Sequence, residues 1–260
     1  MTLFPYVHPT AMIEEGVDLH PTAIVGARSK LAKGCTLEAY SIVGDDTTLG
    51  EDNLLSSFCV VGAKPQDKKS KVDDRFPLIC GHGNQFREGV TISKGTHALG
   101  KTIMGDENLW MAHSHLGHDG IVGNRCVFAN GVSIAGHVHI GDDVHFGGHS
   151  AVHQFVQIGR LAFVAANAMV SQNVPPFCLV VGDHAQIRGL NLIGLQRFGV
   201  SGEDRLMLKR AYHQLIRKSL MNLEVVYWEG SLQAEFREFL DMCKTAKRGV
   251  CSRFKRGIDF

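Results

Sequence analysis

The stretch IVGNRCVFANGVSIAGHVHIGDDVHFG, Ile121 to Gly147, places a bulky apolar residue at every sixth position. These are Val122, Phe128, Ile134, Ile140 and Phe146, each followed by glycine or alanine. A period of six belongs neither to a helix, which repeats every 3.6 residues, nor to an alternating strand, which repeats every two. The same phase runs without a gap from Val7 to Val61, returns at Cys80, Phe86 and Ile92, and continues from Met104 to Val170. Such a repeat predicts a prism with three flat sides, each side a short strand, and 18 residues per coil. The apolar residue points inward, and the small neighbour is expected where the chain turns. Stacked coils then form parallel sheets with about 4.8 Å between strands. The 25 hexads make about eight coils, so the predicted fold is mainly β, a parallel β-helix of hexapeptide repeats.

Two excursions break the period, one near residues 63–77 (AKPQDKKSKVDDRFP) and one at 97–102 (HALGKT). Long loops on a regular scaffold are where function concentrates. The solenoid is expected to end near Pro175 and Pro176, which cannot continue a ladder, giving a repeat domain over 1–184. Residues 185–260 form a connector and a small α-helical C-terminal domain. There, Ser201 with Asp204 resembles a capping box, and Leu208, Ala211, Tyr212, Leu215 and Ile216 make an apolar helical stripe. A second helical pattern covers 232–247.

The totals bound the class. A formal net charge of +1 gives no field that would draw nucleic acid. From Ser201 onward there are 12 Lys and Arg against 8 Asp and Glu, leaving 15 against 18 before it, so a mildly basic tail follows a slightly acidic body. Seven cysteines without a CxxC pair, an N-terminus without a signal-peptide pattern, and the lack of any 18-residue apolar run fit a reduced, cytoplasmic protein with no transmembrane segment.

The run HSHLGHDG, His113 to Gly120, carries the chemistry. With 18 residues per coil, Ala135 and Gly136 lie one coil above Gly117 and His118, with His137 adjoining; His153 and Gln154 lie one coil further on. His118, His137 and His153 are thus expected along one edge, with His115 and Asp119 beside them. His113 instead stacks on Gly131 and His149, at another edge. Three chemistries remain open for this column: general-base catalysis by a histidine supported by a carboxylate, a three-histidine zinc site, or histidines that merely pack between subunits.

The motifs HLGHDG, AGHVHIG (Ala135–Gly141), AVHQF (Ala151–Phe155), VPPF (Val174–Phe177), KPQDKK (Lys64–Lys69) and GLNLIGLQRFG (Gly189–Gly199) span nearly the whole chain. Together they resemble the acyl-carrier-protein-dependent UDP-N-acetylglucosamine O-acyltransferases of lipid A biosynthesis. The resemblance implies left-handed winding and transfer of an (R)-3-hydroxyacyl chain from acyl carrier protein to the sugar 3-hydroxyl. His118 would be the general base, Asp119 its supporting carboxylate, and the Gly136 N–H an oxyanion donor. His115, His137, His153 and Gln154 would line the substrate site. Gln66, Asp67 and Lys69 match sugar- and acyl-binding positions, and Asn191 and Arg197 match nucleotide- and phosphate-contacting ones. The family implies no cofactor and no metal, and a homotrimer with active sites between subunits. Acyl carrier protein is acidic, so Lys209, Arg210, Arg217 and Lys218 are candidate docking residues.

The chain also departs from the pattern. Ile193 stands where a glutamate is usual and Phe198 where a second arginine is common, which leaves room for an N-acyltransferase acting on a 3-amino sugar nucleotide. A zinc-dependent carbonic anhydrase on the same scaffold and a non-enzymatic solenoid are the more distant alternatives. Ala166 occupies the position that limits acyl length, where users of long chains tend to have glycine. Its methyl group predicts a preference no longer than that of glycine-bearing members. In assays with carrier-protein thioesters of graded length, Ala166→Gly should move the optimum upward; an optimum already at the longest chain would contradict the assignment.

Overall fold

The computed structural model describes residues 5–70, 75–217, 237 and 248–251. Among the described residues, twenty-seven short strands wind into three sheets of nine, eight and ten strands. Every third strand joins the same sheet as far as Met169–Val170, the last two strands both joining the third sheet, and the named strands pair in parallel except for the last pair, Cys178–Val181 against Gln186–Leu190. The first sheet starts at Tyr6–Val7, the second at Met12–Ile13 and the third at Asp18–Leu19. The fold is a left-handed parallel β-helix.

The hexad register is kept across both excursions. Neighbouring coils are offset by 18 residues in the regular parts, as between Asn124 and Asp142. The offset grows to 31 between Asn53 and Asn84, and to 24 between Thr91 and His115. Even so, Val61 pairs with Ile92 and Ile92 with Leu116, so the inward-facing column continues unshifted. That column is fully buried from Val25 onward, and on the third face Trp110, Phe128 and Phe146 stack with ring centroids 3.5 and 4.9 Å apart. A buried asparagine ladder, Asn53–Asn84–Asn108, satisfies coil carbonyls at the corner between the second and third sheets.

The small residue after each inward one has a different purpose from the one expected. The turn itself is made two positions later, by a residue in the left-handed region: Arg28 after Gly26, Asp46 after Gly44, Asp119 after Gly117. The glycine is needed because the next coil lies directly against it. A Cβ on Gly44 would sit 2.0 Å from the Gly62 carbonyl oxygen.

Beyond the prism, α1 (Leu192–Arg197) is capped by Asn191, whose Oδ1 accepts the Gly194 N–H at 3.0 Å. Helix α2 (Gly202–Arg217) opens on the expected box: Ser201 Oγ accepts the Asp204 N–H at 3.0 Å and donates to Asp204 Oδ2 at 2.9 Å. Leu195 and Leu208 pack with Leu161 and Phe177, while Tyr212 and Cys251 join the main core. Asn173 exchanges backbone hydrogen bonds of 2.9 Å with Gly249 and Cys251. The second helical pattern, 232–247, lies outside the described residues except for Arg237, which is helical. Among the described residues no helix is long and apolar enough to cross a membrane.

Gly44→Ala should cost about 1–3 kcal/mol, the range for forcing extra volume into a packed interior. Gly189→Ala, whose Cβ would meet nothing within 4 Å, should change stability by less than about 0.5 kcal/mol. Denaturation midpoints of the two variants check this, and equal losses would refute the packing argument.

Candidate active site

Both excursions leave the prism at one corner, between the first and second sheets. The first separates Val60–Ala63 from Leu78–Cys80, and the second separates Thr91–Ser93 from Thr102–Met104. The next coil at this corner is HLGHDG. The strand His115–Leu116 ends there, Asp119 makes the left-handed turn at φ 57°, and Ile121–Val122 begins the second face. One coil on, His137 occupies the same turn position at φ 61°, and Phe155 follows at φ 66°. The His118 and His137 rings meet edge to face at 5.0 Å, and His137 stacks on Phe155 at 4.5 Å. The expected third imidazole, His153, is exposed on the same edge, its Nδ1 3.3 Å from the Gln154 carbonyl oxygen; Gln154 is exposed as well. Phe155 takes the third place in the stack because the turn position recurs every 18 residues from Asp119.

Asp119 is fully buried. Its Oδ2 is 2.8 Å from His118 Nδ1 and accepts the Thr96 hydroxyl, while Oδ1 accepts the Thr96 N–H at 2.9 Å. Thr102 Oγ1 accepts the Asp119 N–H at 2.9 Å, and His137 Nε2 stands 3.7 Å from Oδ2. Burial opposes ionisation of this carboxyl. The two Thr96 hydrogen bonds, that of His118 and the charge of His137 outweigh it and hold Asp119 below the ordinary carboxylate range. With Nδ1 donating to the carboxylate, His118 Nε2 keeps its lone pair as an acceptor. Burial lowers His137, against the opposing pull of Asp119, and lowers His115, whose Nδ1 lies 2.7 Å from Thr91 Oγ1.

The His118 ring lies over Gly136. A Cβ on that glycine would be 2.9 Å from Nε2, so only glycine admits the imidazole here. The Gly136 N–H has no acceptor among the described residues, and a Cβ on Gly117 would stand 2.6 Å from that nitrogen. A proton acceptor and an unspent backbone donor therefore sit side by side, with two glycines leaving space around them. From the first excursion, Asp67 is close enough for its charge to act on His137. Asp67 Oδ1 accepts the Lys69 N–H at 3.0 Å, forming a turn that presents exposed Gln66 and Lys69. His113 lies at a different corner, exposed beneath Gly89.

A concavity lies elsewhere, on the third face. It encloses about 680 Å³ and is lined by Asp143, His145, Phe163, Ile193, Arg197 and Phe198, among others. Asn191 borders it, but its side chain is committed to the fold, capping α1 and donating to the Leu161 carbonyl at 3.0 Å. The two departures from the family pattern, Ile193 and Phe198, make part of the wall apolar. The Arg160 guanidinium lies 4.6 Å over the Phe198 ring and 3.2 Å from Asp143. Ala166 is exposed at the corner between the third and first sheets. Within one chain, then, neither the cavity nor Ala166 shares a corner with His118. Lys209 and Arg210 are exposed on α2 and Arg217 ends it, while Lys218 lies outside the described residues.

His118, Asp119 and His137 each offer a ligand atom within 4.8 Å of the others. Both oxygens of Asp119 are already engaged, however, and the ring above His137 is Phe155. The three-histidine zinc arrangement is not assembled among the described residues. Sequence reasoning missed Thr91, Thr96 and Thr102, which have no place in a histidine-rich motif.

The stacked-hexad scaffold is that of the hexapeptide-repeat proteins, and the similarity to known proteins places the chain among their transferases. Residues 173–251 match a family model described as Udp N-acetylglucosamine O-acyltransferase, Domain 2. The acyl-[acyl-carrier-protein]–UDP-N-acetylglucosamine O-acyltransferase of Anaeromyxobacter dehalogenans (strain 2CP-1 / ATCC BAA-258) is 40% identical over 257 residues, covering 94% of this chain and 98% of the relative. The solved UDP-N-acetylglucosamine acyltransferase of Arabidopsis superposes with a TM-score of 0.83 at 34% identity, covering 95% and 98% of the two chains. Another solved UDP-N-acetylglucosamine acyltransferase gives a TM-score of 0.89 at 33% identity, covering 96% and 97%. The chain belongs to the acyl-[acyl-carrier-protein]–UDP-N-acetylglucosamine O-acyltransferase family, and it is an acyltransferase.

Because the Asp119 pKa is lowered in the fold, its stabilising contribution is present above the unfolded value and is lost as pH falls through the folded one. The stability gap between wild type and Asp119→Asn should therefore be full above about pH 5 and close as pH falls below about 4. A gap that stays constant from pH 7 to 3 in chemical denaturation would refute an ionised Asp119.

Proposed function

We propose that the chain transfers an (R)-3-hydroxyacyl group from acyl carrier protein to the 3-hydroxyl of UDP-N-acetylglucosamine, in the cytoplasm, as the first step of lipid A biosynthesis. The observation that carries this reading is the His118 ring, with Nδ1 on a buried carboxylate and Nε2 beside Gly136. His118 Nε2 takes the proton of the sugar hydroxyl as its oxygen attacks the thioester carbon. The Gly136 N–H holds the oxyanion, the carbon–sulfur bond breaks, and the proton passes from His118 to the departing carrier thiolate. A thioester is already activated for attack, so this route calls on no metal or cofactor.

A convex prism edge cannot enclose a substrate alone. A homotrimer supplies the other wall: the cavity bearing Arg197 and the corner bearing Ala166 on one subunit would face the His118 corner of its neighbour. Lys209 and Arg210 on α2 would steer the acidic carrier. The apolar wall at Ile193 and Phe198 favours keeping a second reading, amide formation on a 3-amino sugar nucleotide. The two products differ chemically, since an ester is cleaved by mild base and an amide survives.

With labelled acyl carrier thioester and UDP-N-acetylglucosamine, His118→Ala should lower kcat by at least ~10²-fold with unchanged folding by circular dichroism. A variant as active as wild type would remove His118 from the mechanism. Turnover of the 3-amino acceptor only would establish the second reading.

A further inference from the structure

We infer that Thr96 is a positioning residue for catalysis, acting through Asp119 on His118. This inference rests on the general-base reading above. Thr96 belongs to the second excursion, just before HALGKT, and is buried. It is the only residue among those described that binds both oxygens of Asp119, through its N–H at 2.9 Å and through its hydroxyl. The same hydroxyl accepts the Ala98 N–H at 3.4 Å, and the Thr96 carbonyl accepts the Gly100 N–H at 2.8 Å. Thr96 thus closes its own loop while gripping the carboxylate. Serine keeps this donor and acceptor pair; valine keeps the shape and loses both.

The excursion itself is held firmly. Lys94 N–H donates to the Ala63 carbonyl at 3.0 Å, and the Gly95 and Thr102 N–H groups donate to the Pro77 carbonyl at 3.4 and 3.0 Å. His97 packs edge-on against Phe76 at 4.6 Å. Ala63, Phe76 and Pro77 belong to the first excursion, the one carrying Asp67. Thr96 therefore stands where the two loops are joined, and it ties that junction to the carboxylate that orients the base. Its effect on chemistry follows from two requirements on Asp119. The carboxylate has to remain ionised though fully buried, and Oδ2 has to face His118 Nδ1. Thr96 supplies two donors for the first and fixes the carboxylate plane for the second.

The test compares steady-state kinetics of wild type, Thr96→Val and Thr96→Ser with acyl carrier thioester and the sugar nucleotide, across pH. Thr96→Val should lose about tenfold or more in kcat, the order expected for a hydrogen bond to an ionised group, with KM for the sugar nucleotide within about threefold of wild type. The acid limb of kcat/KM should move to higher pH, because an Asp119 deprived of the hydroxyl donor, with only the residue-96 N–H left to it, takes up a proton more readily. Thr96→Ser should restore both. In an Asp119→Asn background, Thr96→Val should have little further effect on kcat, since the group it acts through is gone. Should Thr96→Val not fold, Thr96→Ala removes the same hydroxyl with a smaller side chain and takes its place. Wild-type kcat and pH profile in the hydroxyl-less variant, a Thr96→Ser variant no better than it, or full additivity with Asp119→Asn would each overturn the assignment. If His118→Ala is inactive while Thr96→Val behaves as wild type, this inference alone fails; if His118→Ala is fully active, the general-base reading itself has failed.

Discussion

Each coil must hydrogen-bond to the next on three faces at once, and the site follows from that requirement. A strand of two residues has no freedom to slip, because a shift of one residue would turn the inward column outward. Extra chain can therefore enter only at a corner and has to return to the same register, as it does between Val61, Ile92 and Leu116. Both excursions use the same corner. The second lands against the first, and its backbone N–H groups find acceptors at Ala63 and Pro77, as polar groups leaving a ladder must. A polar niche against an otherwise regular wall results, and the histidines of the next two coils border it.

Asp46 and Asp119 both stand at this corner, and their settings differ. Asp46 is met by Arg28 at 2.6 Å and by Lys94 at 3.6 Å, so its charge is spent on permanent cations. Asp119 is met by a hydroxyl, a backbone N–H and an imidazole. Neutral donors keep a carboxylate ionised without cancelling its charge. An imidazolium that forms beside it gains Coulomb energy of about 4 kcal/mol at 4 Å in an effective dielectric near 20. Asp46 has no such energy left to give.

Much of this was legible because the fold is periodic. The spacing of six assigned the strands, the inward column and the stacking of Gly136 above His118, which needs only a count of 18. The same count, begun at Asp119 rather than at His118, leads to Phe155 and shows why His153 does not continue the stack. The glycine after each inward residue was found by its spacing but misread: the backbone of the next coil, not the turn, forbids a side chain there. Thr96 was invisible because it sits where the period fails, 23 residues from its partner, and nothing in GTHALG marks a threonine that faces a carboxylate. Asn191 was found by its motif, yet its amide is tied to Leu161, thirty residues back along the chain.

The division of groups between corner and cavity has a geometric cause. A prism edge is convex, so residues stacked along it can point at a ligand but cannot surround one. Three turn positions, Asp119, His137 and Phe155, span two coil steps, or roughly 10 Å of edge. The concavity on the third face forms where α1 leaves the end of the prism and folds back over it, between Phe163, Ile193 and Phe198. The histidine corner and this concavity therefore lie on different sides of the one chain.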